Sequence, residues 1–202
     1  VNGDILIRSV LLQAGFVSFL FFGANLGDVT LAANQVLLQF VHVASYSMDG
    51  FVFAGEALVG QAVGARALAE LRRAAIVTAV WAFSAGIIIA LIVWFAGPFF
   101  IDLMAKDENV QAAARLYIPH VALVPILGAM AWMLDGVFIG ATRTKDMRNM
   151  MIVSFLGYCI FIALLLPSFG NHGLWMAMNG FFILRGLTLA FRYPALERSV
   201  TN

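Results

Sequence analysis

Six polar side chains recur along one stretch of an otherwise apolar sequence, and their types could bind a cation or exchange protons. The six residues are Gln35, Gln39, His42, Tyr46, Asp49 and Glu56. At about 100° per residue they fall within about a third of the circumference of a helix. We call these residues the polar stripe. A stripe of two carboxylates, an imidazole and amides is suited to a positively charged compound or to protons.

An ionisable side chain at membrane depth costs about 2.5–3.5 kcal/mol on insertion scales, so the polar stripe needs an explanation. One alternative is hydrogen bonding between packed helices. The other is that the stripe faces a water-filled cavity. We favour the cavity, because two carboxylates and a histidine on one face exceed what packing requires. On this interpretation Asp49 and Glu56 bind the substrate or carry protons.

A third carboxylate, Asp135, lies downstream in another apolar stretch. Pro125 precedes it and should bend the helix, because proline removes a backbone hydrogen bond. A bend beside a carboxylate is common where helices line a site. Alternatively, Asp135 forms a salt bridge with Arg185 or a neighbouring arginine, and we expect a structural role for Arg185. The segment 134–139 also resembles 48–53, since each contains Asp-Gly.

The composition points to an integral membrane protein. Of the 202 residues, 62% are hydrophobic and only 11% are charged, and the mean hydropathy is +0.94. A soluble domain has roughly 25% charged residues, so this chain cannot cover a water-exposed surface. The net charge of +1 gives no basic face for nucleic acid. A single cysteine, Cys159, permits no intramolecular disulfide.

The spacing of charges predicts six membrane-spanning helices, because about 20 apolar residues cross the hydrocarbon. The predicted helices are about 7–27, 31–64, 74–101, 115–142, 149–168 and 173–192. We therefore predict an all-α integral membrane protein with a single six-helix lobe over residues 1–202. Nine Lys and Arg residues fall on one side and two on the other, which predicts cytoplasmic termini. The start at Val1 suggests a fragment of a longer chain.

Three stretches resemble the second half of transporters of the MATE (multidrug and toxic compound extrusion) family, in particular its DinF-like branch. They are "SYSMDGFVFAGEALVGQAVGAR" at 45–66, "LDGVFIGATRTKDMRN" at 134–149 and "LPSFGNHGLWMAMNGFFILRGLTL" at 166–189. The resemblance begins at the "AANQ" of 32–35 and continues to the end of the chain.

The resemblance implies a secondary transporter that exports cationic and amphipathic drugs in exchange for H⁺ or Na⁺. Such transporters have two six-helix lobes, and this chain resembles the C-terminal one. Na⁺-coupled relatives carry a carboxylate inside the helix that corresponds to 7–27, where this chain has only Gln13 and Asn25 as strong polar groups. Proton coupling is therefore the favoured expectation, with no other cofactor and no metal site.

The leading hypothesis is thus cation-coupled multidrug efflux, in which Asp49, Glu56 and Asp135 bind substrate or protons. The expected partners are the lipid bilayer, small cationic drugs and an N-terminal six-helix lobe or a second copy. The expected location is the bacterial inner membrane. One alternative is a half-transporter that associates with itself, and another is a channel or scaffold without coupled transport. We expect no enzymatic activity, because the sequence has no nucleophile-base set.

Overall fold

The computed structural model describes residues 2–201, which form seven helices and no β-strand. The helices are α1 Asn2–Ala24, α2 Asp28–Gly64, α3 Leu68–Met104, α4 Glu108–Leu116, α5 Ile118–Gly140, α6 Thr144–Phe169 and α7 Asn171–Thr201. Six of them, all except α4, are long and apolar enough to cross a membrane. The predicted all-α fold with six spans is confirmed.

The helix bounds differ from the predicted ones mostly by extension, although α1 ends at Ala24 rather than near 27 and α5 ends at Gly140 rather than near 142. Most helices extend past the predicted limits, as α3 and α7 do at both ends. The prediction used charged residues as boundaries, but a charge marks where the hydrocarbon ends, and the backbone continues as helix into the polar interface. Helix length and span length are therefore separate quantities here.

The predicted helix at 115–142 is wrong at its start, because the chain forms two helices there. The short α4 is preceded by the N-cap residue Asp107, whose carboxylate accepts hydrogen bonds from the backbone N–H groups of Asn109 and Val110 at 2.7 and 3.4 Å. Helix α5 begins after Tyr117 with Pro119 in its first turn. Proline is favoured there since the N–H that it lacks would have no partner within the helix.

Helix α5 is the centre of the bundle. In its most apolar stretch 72% of the residues are buried, against 11% for α1. It packs against α2, α3 and α7, while α1 lies at the edge and packs mainly on α6. Pro125 lies inside α5, and its carbonyl faces Gly86 of α3, where a Cβ would approach to 2.6 Å. The missing side chain at Gly86 thus lets α3 lie directly on α5.

Two glycines of α5 fix its contact with α2. A Cβ at Gly136 would lie 2.6 Å from the carbonyl oxygen of Val52, and one at Gly140 would overlap the carbonyl oxygen of Glu56. Glycines four residues apart leave a groove in a helix, so two backbones can approach closely. Because Gly136 meets Val52 and Gly140 meets Glu56, the two helices run in the same direction and in fixed register.

Ion pairs tie the helices together at the end of the bundle where α1 begins and α7 ends. Arg148 of α6 donates to Asp4 of α1 at 2.6 Å. Arg192 of α7 donates to Asp146 of α6 at 2.7 Å. The ion pairs lie at the end of the bundle that the sequence predicts to be cytoplasmic, and this orientation stays a prediction.

Candidate functional site

The polar stripe lies on the surface of the bundle along α2. Gln35, Gln39 and Tyr46 are exposed, Tyr46 by 71%, and the other three members are half-buried. His42 packs against Phe16 of α1 at 5.3 Å between ring centroids and stacks on Tyr46 at 6.4 Å. The half-buried side of the stripe therefore borders α1, and its other side faces outward.

The two carboxylates of the polar stripe have no polar partner. Among residues 2–201, neither the side chain of Asp49 nor that of Glu56 forms a hydrogen bond or an ion pair. Within this part of the chain, the two carboxylates therefore form no hydrogen bonds between helices, which was the alternative explanation of the stripe. Their negative charges remain available to a ligand.

Asp135 of α5 has the opposite environment. It is 5% exposed, and its Oδ2 accepts a hydrogen bond of 2.8 Å from Nη2 of Arg185. The same oxygen accepts a second hydrogen bond from Nη2 of Arg8. The predicted alternative of a salt bridge with Arg185 is thus present, and Arg185 has the structural role that we expected.

Arg185 is enclosed between its ion pair and two aromatic rings. Only 2% of the residue is exposed, and its guanidinium carbon lies 5.9 and 5.6 Å from the ring centroids of Phe181 and Phe182. A cation is attracted to the face of an aromatic ring, more strongly where water is excluded. These contacts hold the guanidinium in place independently of Arg8.

Arg8 is the member of this cluster that the sequence did not indicate. From the sequence it counts only as a positive charge near the predicted cytoplasmic end. In the structure it lies inside α1, and its side chain reaches Asp135 across 127 residues of sequence. Such a contact depends on how α1 packs, and no spacing within the sequence encodes it. We call Arg8, Asp135 and Arg185 the charge cluster.

The charge cluster contains more donors than acceptors. Two guanidinium groups share one carboxylate, which leaves a formal charge of +1. Among the described residues, Nε of Arg8 and both Nε and Nη1 of Arg185 are buried without a hydrogen-bond partner. A buried network with unpaired donors is less stable than a fully paired one.

Asp49 of the polar stripe and Asp135 of the charge cluster lie at similar depth. Gly136 meets Val52, so Asp135 is one residue and Asp49 three residues from that contact, on the same side. At 1.5 Å per residue, the two carboxyl-bearing positions differ by about 3 Å along the bundle. The site residues therefore form two groups that overlap in depth, one on the surface of α2 and one buried between α1, α5 and α7.

A family model named MatE matches residues 5–165, which is most of the chain. The chain belongs to the MatE family. This result confirms the resemblance on which the sequence analysis relied. Together with the six apolar helices, it makes the chain a multi-pass membrane protein.

Relatives support the DinF-like branch of the MatE family. DNA damage-inducible protein F of Escherichia coli is 37% identical over 94% of this chain and 41% of its own length. The probable multidrug resistance protein NorM of Pseudomonas aeruginosa is 31% identical over 83% of this chain and 36% of its own length. The chain thus spans about two fifths of the length of these curated relatives.

The fold agrees with that of a solved MatE family structure. A crystal structure of the Vibrio cholerae MATE transporter VcmN in the bent form matches with a TM-score of 0.86 and 17% identity. The match covers 98% of this chain and 45% of that one. The six-helix arrangement is therefore one lobe-sized portion of the MATE transporter fold.

Proposed function

We propose that this chain is the C-terminal lobe of a secondary transporter that exports cationic and amphipathic compounds. The observation that carries the proposal is the polar stripe, whose carboxylates Asp49 and Glu56 have no partner among the described residues. Free carboxylates on a membrane-spanning helix are costly next to lipid, and they attract positive charge. The names of the relatives, which include a multidrug resistance protein, favour the same function.

The polar stripe requires a second wall, because facing lipid would leave its amides and carboxylates without hydrogen-bond partners. We propose that a further six-helix lobe supplies this wall, since the relatives are more than twice as long as this chain. Water and substrate then enter between the two lobes. A second copy of this chain could supply the same wall, and the alternative of a self-associating half-transporter rests on that symmetry.

Exchange follows from competition for the carboxylates of the polar stripe. A protonated carboxyl group has lost the charge that holds a cationic compound, so proton entry on one side releases the compound there. We propose H⁺ as the coupling ion and the bacterial inner membrane as the location. Exchange of this kind makes no covalent bond and needs no cofactor.

The main test measures efflux of ethidium from cells that express the full-length transporter with Asp49→Asn or Glu56→Gln. Each variant keeps the size of the side chain and removes its charge. We expect efflux to fall by about tenfold, which corresponds to about 1.4 kcal/mol of lost interaction. Asp28→Asn and Glu70→Gln are matched controls, because both carboxylates are exposed near helix ends. Normal efflux by both stripe variants, at equal expression, would refute the proposal.

Coupling is tested in inverted membrane vesicles with separate gradients. We expect ethidium transport to stop when the pH gradient is dissipated and to persist when Na⁺ is removed. Transport that requires Na⁺ would show that the coupling ion is Na⁺ and not H⁺. Transport that ignores both gradients would favour the channel alternative instead.

A further inference from the structure

The charge cluster contains one arginine more than its carboxylate needs. Arg8 and Arg185 both donate to Oδ2 of Asp135, and Arg185 is the buried partner, held also by two phenylalanine rings. We propose that the Arg8 side chain competes with the cationic compound for Asp135. Arg8 occupies the binding position in the empty protein and leaves it when the compound binds. This inference rests on the proposed export of cations and concerns Asp135, the third carboxylate for which the sequence predicts binding of substrate or protons.

The contacts of the two arginines indicate which of them can leave. The side chain of Arg185 is 2% exposed, whereas that of Arg8 is 16% exposed and has no aromatic contact among the described residues. Moving Arg185 would expose a carboxylate and two rings at the centre of the bundle. Moving Arg8 leaves the pair of Asp135 and Arg185 intact and electrically neutral.

The exchange of Arg8 for a monovalent cation leaves the formal charge of the cluster unchanged. With Arg8 in place the charge cluster has a formal charge of +1, and replacing Arg8 by a monovalent cation gives the same value. An exchange that conserves charge avoids the cost of adding a charge to a site of low dielectric constant. A neutral compound would not conserve it, so Arg8 should discriminate in favour of cations that can displace it.

Helix α1 is placed to carry Arg8 away. It is the least buried of the six spans, it packs mainly on α6, and it borders the half-buried side of the polar stripe through Phe16. Asp49 is unpaired and about 3 Å from the level of Asp135, so a displaced Arg8 would find a second carboxylate at similar depth. Binding of a cation would thus be linked to a shift of the first half of α1.

The test measures equilibrium binding of tetraphenylphosphonium to the purified full-length protein. We expect Arg8→Gln to raise the affinity by about tenfold, since it removes the competitor, which corresponds to about 1.4 kcal/mol. Arg8→Lys keeps the charge, and Arg8 contacts Asp135 through one nitrogen, with no ring stacking among the described residues, so this variant should stay within about twofold of the native protein. Arg148→Gln is the matched control, because Arg148 also ties α1 to another helix, through Asp4, but does not contact Asp135.

A neutral probe separates charge competition from a general loosening of the bundle. Tetraphenylsilane has the same four phenyl groups around a neutral centre, and Arg8→Gln should leave its affinity unchanged. Equal gains for both probes would overturn the inference, as would unchanged binding of the cation. If the native protein and every variant fail to bind tetraphenylphosphonium, the proposed function itself is wrong.

A second measurement follows the movement of α1 directly, in a protein that keeps Arg8. Ser9 is exposed next to Arg8, so a Ser9→Cys variant without Cys159 can report accessibility to a membrane-impermeant maleimide. We expect tetraphenylphosphonium to change the labelling rate of the introduced thiol severalfold and tetraphenylsilane to leave it unchanged. A labelling rate that ignores the cation while binding is measurable would also overturn the inference.

Discussion

Helices α2 and α5 end in turns of the same type, but the carboxylate of Asp135 in α5 is paired with arginines and that of Asp49 in α2 has no partner among the described residues. In both, the third residue after the helix-terminal glycine donates back to the carbonyl five residues before it, from Ala67 to Ala62 and from Arg143 to Phe138, each at 2.9 Å. The intervening Arg66 and Thr142 have positive φ values of 51° and 55°. The two turns are therefore structurally equivalent, 76 residues apart.

This equivalence corrects the similarity that the sequence suggested between 48–53 and 134–139. That similarity aligned Asp49 with Asp135, but Asp49 lies 15 residues before Gly64 and Asp135 only 5 residues before Gly140. The shared feature is the helix end, and the carboxylates are not equivalent within it. Asp49 lies on the surface of α2, where no arginine among the described residues contacts it, and Asp135 lies where α1 and α7 bring two of them.

The difference teaches that a buried arginine decides how firmly a carboxylate in a membrane helix is held: Arg185 fixes Asp135 within the bundle, whereas no described arginine contacts Asp49. The first prediction tests this difference in stability. Asp135→Asn leaves two guanidiniums without a carboxylate at a buried site, so we expect a loss of about 3–5 kcal/mol in the free energy of unfolding. Asp49→Asn removes no contact and should change it by less than about 0.5 kcal/mol. Thermal unfolding of the full-length protein in detergent measures both. Equal losses in the two variants would remove the distinction between the two regions.

Much of the fold could be predicted because charges are scarce in this chain. Their spacing predicts the number of spans, and the number is confirmed. The break at Tyr117 was missed, since the predicted span began at the charged Arg115, whereas α4 continues to Leu116 and α5 begins only at Ile118. Helix ends depend on local capping, which hydropathy does not record.

The candidate site was predictable only in part. The pair of Asp135 and Arg185 was one of two alternatives, because a buried carboxylate and a buried arginine in one bundle attract each other. Arg8 was not predictable, since its position follows from the packing of α1 against α6. The spacing of Gly136 and Gly140 is a signal of close helix contact that could have located the α2–α5 interface.

The second prediction concerns the contact that sets the register between the two helices. Gly140→Ala places a methyl group against the carbonyl oxygen of Glu56, and backbone cannot yield as a flexible side chain does. We expect a loss of about 1–3 kcal/mol in the free energy of unfolding. Gly60→Ala is the matched control, because its Cβ would lie 3.5 Å from the carbonyl oxygen of Gly140, an ordinary contact. The same unfolding measurement applies, and a Gly60 variant as unstable as the Gly140 variant would mean that the register is set elsewhere.

The smallest expected effect lies in the two equivalent turns. A residue other than glycine at positive φ costs about 1–2 kcal/mol, and the cost is larger for a β-branched side chain. Thr142→Gly should therefore stabilise the protein by up to about 1 kcal/mol, after the greater backbone entropy of glycine is subtracted. Arg66→Gly should gain less, because it also removes a positive charge near the end of α2, where the helix dipole favours one.

Two neighbouring alanines serve as controls for this third prediction. Ala65 and Ala141 have φ values of −82°, so replacing either by glycine relieves no strain. We expect each to lose about 0.5–1 kcal/mol in the free energy of unfolding. Gains at Thr142 and Arg66 with losses at both alanines would show that α2 and α5 store the same strain in the same place. The difference between the two helices would then be confined to the carboxylates, where Arg8 and Arg185 reach one and leave the other free.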